Sequence, residues 1–408
     1  MRLELTIDRL GAQGDGIAET SDGPVYVPFA LSGEHIIADV EKGRGSVLEI
    51  LTRSPERIKP ICRHFGVCGG CALQHLERNA YLEWKRQRVV DALRMERIDT
   101  PIEPVRAFAP HTRRRAAFAA IKSASGLAFG YRRAQSHDIV DLRECPLLLP
   151  RFEAALPSLR GLVDALLPSG EARITVTACD NGLDVDVEKS LGKLHSFTAA
   201  HGKAAEAAGI VRLTVGGDPL FSIAAPRVNL AGVAVEPPPG AFLQASGEAE
   251  IAMTDIAMEA LGKARKVADL FCGLGTFSFA MARRASVTAV ENDRALLLAL
   301  DAASRRAQGI KPIKTLARDL MREPLSPAEL NAFDAVLFDP PRAGALAQSS
   351  ALAKSRVRKV IAMSCNPASF ARDARMLIDG GYTLERVAPI DQFVFSAHVE
   401  LVAIFKRK

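Results

Sequence analysis

The chain opens on short runs in which apolar and polar positions alternate: Leu3-Glu4-Leu5-Thr6-Ile7, Pro24-Val25-Tyr26-Val27-Pro28, His35-Ile36-Ile37-Ala38-Asp39-Val40 and Ser46-Val47-Leu48-Glu49-Ile50-Leu51. A period of two sends successive side chains to opposite faces of a strand, and glycine turns such as Gly11-Ala12-Gln13-Gly14-Asp15-Gly16 separate the runs. Residues 1–55 therefore predict a small β-barrel, structural or nucleic-acid-binding. The pattern then changes. Residues 77–97 predict an amphipathic helix with a basic face, on which Trp84 is a packing residue. Up to about residue 235 the chain mixes strands, such as Ala172–Ala178 and Leu183–Val187, with alanine-rich helices. Glu236-Pro237-Pro238-Pro239-Gly240 reads as a linker.

Beyond it the apolar runs become continuous, as buried strands require. Lys266-Val267-Ala268-Asp269-Leu270-Phe271 leads through Cys272-Gly273-Leu274-Gly275-Thr276 into a helix near Phe277. The next strand ends in Glu291, Phe333–Phe338 leads to Asp339-Pro340-Pro341-Arg342, and Val360–Met363 leads to Ser364-Cys365-Asn366-Pro367, where Pro367 bars the run from continuing as a helix. A last strand, His398 to Phe405, carries Glu400. Strands alternating with helices make this half a nucleotide-type α/β fold, which binds ligands at the carboxyl ends of its strands. The expected organisation is three domains: 1–55, 56–235 and 236–408.

Composition agrees with a multidomain globular chain: 408 residues, 48% hydrophobic and 25% charged. Met1 to Asp8 holds no apolar run long enough for a signal peptide or membrane span, so a cytoplasmic protein without membrane contact is expected. The net charge of +6 is concentrated: residues 51–160 hold 20 Lys and Arg against 11 Asp and Glu. A basic surface of that kind suits a polyanion. His111-Thr112-Arg113-Arg114-Arg115-Ala116 and Tyr131-Arg132-Arg133 add arginine and an aromatic for phosphate contact and base stacking.

Seven cysteines without a secretory signal do not describe a disulfide framework. Cys62-x5-Cys68-x2-Cys71, on a glycine-rich loop, has the spacing of a metal-ligand cluster. A fourth ligand is needed: Cys145, followed by proline, is one candidate, and His64 or His75 would serve zinc. Spacing leaves zinc and iron–sulfur open. In the C-terminal half the Gly-x-Gly turn is weak by itself, but Glu291 stands about 20 residues beyond it, where a carboxylate can accept the ribose hydroxyls of an adenosine cofactor. Asp319 and Asp339 follow at further strand ends. Cys365 is placed for nucleophilic chemistry, and Glu400 within an apolar strand needs a partner or a task.

With Asp269-Leu270-Phe271-Cys272-Gly273, Asp339-Pro340-Pro341-Arg342 and Ser364-Cys365-Asn366-Pro367 in order, the sequence resembles the S-adenosylmethionine-dependent RNA uracil-5-methyltransferases over essentially its whole length. The cysteine pattern and the N-terminal segment, which looks like a TRAM domain, resemble the iron–sulfur branch that methylates bacterial 23S ribosomal RNA. The resemblance implies a Rossmann-like methyltransferase domain behind an N-terminal β-barrel and a central α+β iron–sulfur domain. It implies Cys365 as nucleophile and Glu400 as base. Cofactor contacts would fall on Gln244, Phe271, Thr276, Glu291, Asp319 and Asp339, and a 4Fe–4S cluster on Cys62, Cys68, Cys71 and Cys145. RNA is the implied partner, 23S rRNA ahead of tRNA as the alternative; no protein partner is implied, and a monomer is the default expectation. Ser246 stands where the family has asparagine. An amino-methyltransferase would carry an aromatic where Arg342 stands, a non-catalytic RNA-binding protein would not keep Gln244, Glu291, Asp339, Cys365 and Glu400 together, and a redox protein would leave the C-terminal half unexplained.

Overall fold

The continuous apolar runs of the C-terminal part build an open sheet in the computed structural model of the chain, which describes residues 1–134, 136–188 and 195–407. Its strands are β1 (Lys266–Leu270), β2 (Ser286–Glu291), β3 (Ile313–Ala317), β4 (Ala335–Phe338), β5 (Lys359–Ser364), β6 (Tyr382–Ile390) and β7 (Glu400–Arg407). Their order is β3-β2-β1-β4-β5-β7-β6. Strands β1 to β5 are parallel, and β7 runs antiparallel to both neighbours. All four residues of β4 are buried, as a central strand covered on both faces demands. The chain leaves β1 towards β2 on one side while β4 lies on the other, and this reversal opens a crevice at the strands' carboxyl ends.

Helices Gly247–Leu261, Arg294–Arg306, Leu346–Ala353 and Pro367–Asp379 accompany this sheet. Asp293 caps the second by accepting from the amides of Ala295 and Leu296 at 2.8 and 3.3 Å. The run before Pro367 is strand β5, not a helix continued through it, and Pro367 opens the helix that follows. It occupies the first helical turn, where a missing N–H costs nothing, and Asn366 caps it by accepting from Ala368 N at 3.2 Å. The Ser-Cys-Asn-Pro stretch is thus a strand–turn–helix junction.

A second seven-stranded sheet spans Arg115–Ser222 and shares a core with helix Pro150–Leu166 through Phe118, Phe129, Phe152, Leu159 and Ile174. The first 52 residues form six strands in the order Arg2–Thr6, His35–Glu41, Arg44–Thr52, Gly23–Val27, Gly16–Thr20, Arg9–Leu10, around Leu5, Ile7, Val27 and Ile36. The pairing order is open, and among the described residues it does not close on itself.

Helix Arg78–Met95 inserts Val89 and Leu93 into the core beneath β5 and β7, beside Val360, Leu377 and Phe405. Its basic face is only partly solvated: Lys85 is fully buried, where its ammonium reaches Asp391 Oδ1 at 2.6 Å and the carbonyl of Phe393 at 3.0 Å. Trp84 packs, as expected, beside Leu31, Leu73 and Tyr81. Glu236–Gly240 is tied to the middle sheet, since Arg212 donates to Pro237 O and Arg115 to Gly240 O. No helix among the described residues is long and apolar enough to cross a membrane.

Candidate active site and cysteine cavity

Strand β5 ends at Ser364, which pairs with Leu401 across the antiparallel ladder to β7. One further step in that register sets Cys365 opposite Glu400, the first residue of β7. Directly opposed residues of an antiparallel pair project to the same face, with Cβ atoms about 4.5–5.5 Å apart. Cys365 is half-buried and Glu400 buried. Asp339 follows β4, the strand beside β5.

A chain of hydrogen bonds joins these groups. Gln244 Nε2 donates to Asp339 Oδ2 at 3.1 Å, and Gln392 Nε2 donates to Gln244 Oε1 at 2.8 Å and to Glu400 Oε2 at 3.2 Å. Gln244 is itself held, because Arg114 donates to its carbonyl and pairs with the buried Glu250. Burial raises the Glu400 carboxyl well above the ordinary range and the charge of Asp339 adds to this, against the opposing bond from Gln392. Burial also raises Asp339, with Gln244 opposing. The Cys365 thiol is pushed up to about 11 by burial and then by Glu400 and Asp339, while Arg342 pulls it down. Arg342 is fixed through its carbonyl, which accepts from Asn366 Nδ2 at 3.2 Å and Ser369 Oγ at 3.1 Å.

The other expected cofactor contacts lie along the adjoining strand ends. Phe271, just past β1, takes a left-handed φ of 61°, and the turn closes through Gly273 and Gly275. A Cβ on Gly275 would lie 2.7 Å from Leu300 Cδ1, so only glycine fits. Thr276 follows that turn. Glu291 already accepts from the amides of Gly273, Asn292 and Asp293, at 3.1, 2.7 and 3.0 Å. Asp319, beyond β3, accepts from Met321 N at 3.0 Å. The structure brings Gln244, Asp339, Cys365 and Glu400 into one group, whereas among the described residues neither Thr276 nor Asp319 hydrogen-bonds to it.

Sequence reasoning missed Gln392 and the pair Asp269–Ser278. Ser278 Oγ donates to the buried Asp269 Oδ2 at 2.5 Å, and burial lifts that carboxyl to about 7 despite the bond. A hydroxyl one turn beyond the Gly-x-Gly glycines was the signal available for the latter.

The four cysteines Cys62, Cys68, Cys71 and Cys145 line one cavity of about 60 Å3. The loop is shaped by Gln74 Oε1 accepting from Cys62 N at 3.1 Å and by Glu153 Oε1 accepting from Cys145 N at 2.8 Å. Burial pushes the Cys71 thiol up to about 12 and Cys145 to about 11. Neither histidine lines this cavity. His64 Nε2 accepts from Arg143 N at 3.2 Å, and His75 packs against Phe29 and Phe65. Tyr131, expected to stack on a base, instead lines the cavity with its ring 5.2 Å from that of Phe118. Among the described residues no group of three or more His, Cys, Asp or Glu is placed to hold a metal ion.

A groove of about 930 Å3 runs from the N-terminal sheet past the cysteine loop to His398, lined by Arg44, Arg57 and Arg133 among others. Burial and the nearby charges of Arg342, Lys85, Arg88 and Arg113 hold His398 below its ordinary pKa. His398, at one end of this groove, stands two residues before Glu400 in the chain.

A crevice at the switch point of a sheet ordered 3-2-1-4-5-7-6, with acidic residues on successive strand ends, defines a Rossmann-like methyltransferase fold. A family model described as tRNA (Uracil-5-)-methyltransferase matches residues 228–408. An uncharacterized RNA methyltransferase of Brucella suis is 47% identical, covering 99% of this chain and 98% of that protein. The 23S rRNA (uracil(1939)-C(5))-methyltransferase of Vibrio vulnificus is 30% identical over 99% of this chain and 96% of its own length. The fold matches the crystal structure of Pyrococcus abyssi tRNA (uracil-54, C5)-methyltransferase in complex with S-adenosyl-L-homocysteine, with a TM-score of 0.77, 23% identity, and 98% and 99% of the two chains covered. The chain belongs to the S-adenosylmethionine-dependent RNA uracil-5-methyltransferases.

Proposed function

We propose that this enzyme methylates carbon 5 of a uridine in 23S rRNA through a covalent bond between Cys365 and the base. The observation that carries the mechanism is the register that sets Cys365 against Glu400. Carbon 5 of uracil is a poor nucleophile, so the Cys365 thiolate first adds to carbon 6, and the electron pair moves to give an enolate. S-adenosylmethionine, when bound, supplies an electrophilic methyl group and the positive charge of its sulfonium. Carbon 5 takes the methyl. Glu400 then removes the carbon 5 proton, the carbon 5–carbon 6 double bond re-forms, and Cys365 leaves as thiolate.

Two features of the site serve these steps. The buried carboxylates oppose thiolate formation in the free protein, so Arg342 and the cationic cofactor are the charges that offset them. Gln392 donates to Glu400 and favours its ionised form, which a base requires. Gln244, Phe271, Thr276, Glu291, Asp319 and Asp339 would hold the cofactor. Three backbone amides orient Glu291 and leave a lone pair of its four for a ribose hydroxyl.

Cys62, Cys68, Cys71 and Cys145 would hold a 4Fe–4S cluster. Four thiols around one small cavity fit its donor set. The N-terminal sheet, as a TRAM-like module, and the basic groove would grip RNA while the target base is flipped out of its stack. The Vibrio relative's 30% identity over nearly the whole chain and the cysteine pattern support 23S rRNA as the substrate, with tRNA as the alternative.

The deciding experiment is mass spectrometry of 5-methyluridine in separated 23S and tRNA fractions from cells lacking the protein. Loss of one 23S site is the expected result; loss from tRNA would transfer the substrate, and no change in either would count against the assignment.

A further inference from the structure

The side-chain oxygen of Gln392 is buried and has no hydrogen-bond partner, although the residue is only 4% exposed. An orphaned carbonyl in such a place destabilises the fold unless something binds it. Its orientation is not arbitrary. Asp339 accepts from Gln244 Nε2, which turns Gln244 Oε1 towards Gln392, and Gln392 must then offer its amino group to both Gln244 and Glu400. Reversing the Gln392 amide would set oxygen against the Gln244 oxygen. Both amide hydrogens of Gln392 are spent, and its oxygen is left over.

Beside it, Gln244 uses one amide hydrogen on Asp339 and keeps another. Within the hydrogen-bonded group that holds Glu400, an unpartnered acceptor thus stands next to an amide with a hydrogen to spare. Uracil carries the complementary pair: an N3–H flanked by carbonyl oxygens. Cytosine reverses it, with a bare N3 and an exocyclic amino group. Thiolate addition at carbon 6 is open to either pyrimidine, so chemistry alone does not select uracil.

Resting on the methyl-transfer reading above, we infer that Gln392 reads the target base, its Oε1 accepting the N3–H of uracil while Gln244 and Glu400 lock the amide against rotation. A site built around a substrate N–H discriminates strongly against an analogue lacking it, because the protein group is left unpaired. Gln392 is thus a specificity residue, and it links recognition to the base Glu400 through a single amide.

The test uses the full-length protein, S-adenosylmethionine and a 23S rRNA fragment carrying either the target uridine or cytidine in its place. The wild type should prefer uridine by about a thousandfold or more in kcat/KM. Gln392→Met should lower kcat/KM for uridine about tenfold and narrow the uridine-to-cytidine ratio by about tenfold or more. If Gln392→Met slows uridine turnover but keeps the ratio, Gln392 acts only through Glu400 and the inference falls. Gln392→Leu, a second variant without the acceptor oxygen, covers the case in which the methionine variant does not fold: it should narrow the uridine-to-cytidine ratio likewise, and an unchanged ratio overturns the proposal. A wild type that methylates neither RNA is a different failure, that of the methyl-transfer reading itself.

Discussion

Glu400 stands opposite Cys365 in the register of β5 and β7, so one buried carboxylate faces the thiol from the next strand. The pairing serves two opposed needs. A base beside the reacting carbon must be close to the nucleophile, yet its charge disfavours the thiolate. Glu400→Gln should therefore separate the two half-reactions. Methyl transfer to a bound uridine should still occur, but release should slow by about 10²–10⁴-fold, the usual contribution of a general base. Denaturing electrophoresis should show an accumulated protein–RNA adduct; full turnover without an adduct would remove Glu400 from the mechanism.

Cys365→Ala should abolish both turnover and adduct while RNA affinity stays within about threefold, because the basic groove proposed to grip RNA does not include the thiol. Before substrate arrives, the thiol lies near 11, so iodoacetamide should label Cys365 slowly at neutral pH and faster as pH rises. Glu400→Gln should speed labelling at pH 8, since one of the charges raising the thiol has gone. Peptide mass spectrometry of the labelled residue reads both effects.

The strand ends that carry Asp339 and Cys365 were legible because buried parallel strands write themselves as unbroken apolar runs ending in polar turns. What was hidden depends on contacts far apart in sequence. Lys85 looked like one cation on a basic face, but its partner Asp391 lies 306 residues away. Tyr131 looked like a stacking platform because local sequence cannot say which face of a strand meets Phe118. Gln392 sits in a loop with no periodicity, and only the pairing of β6 and β7 brings it to Glu400.

The Lys85–Asp391 pair fastens helix Arg78–Met95 to the loop bearing Gln392, and Arg78 and Tyr81 also bond that carboxylate at 3.2 and 2.7 Å. Lys85→Met would leave Asp391 buried with less compensation. Removing one partner of a buried ion pair costs about 3–5 kcal/mol, and the remaining two donors place this case at the lower end. Urea unfolding measures it, and a cost below about 1 kcal/mol would show that the pair adds little.

His75 is fully buried, and neither ring nitrogen has a partner. Burial, then the charge of Arg57, lowers its pKa to about 4, with Glu34 opposing. Between pH 6.5 and 4 the unfolded chain holds a proton on this ring that the folded chain rejects, so stability falls as pH drops through that window and is unaffected above it. By pH 5 the loss amounts to about 2 kcal/mol. His75→Phe should flatten the difference in unfolding free energy between pH 7 and pH 5 by that amount, whatever its effect on packing; an unchanged difference would assign acid sensitivity to other groups.

The cysteine cavity supplies the last test. Four thiols enclosed with Leu142, Leu147 and Phe65 gain nothing from one another unless a cation joins them, and burial alone keeps each protonated. A bound cluster would turn that cost into a structural link between the loop at 62–71 and the segment before helix Pro150–Leu166. Protein purified without oxygen should then be coloured and carry about four irons per chain. Cys68→Ser should lose the colour and most of the iron, and should weaken RNA binding because the same loop borders the groove. Iron-free, colourless wild-type protein with full RNA affinity would instead leave Cys62, Cys68, Cys71 and Cys145 as a packed thiol cavity.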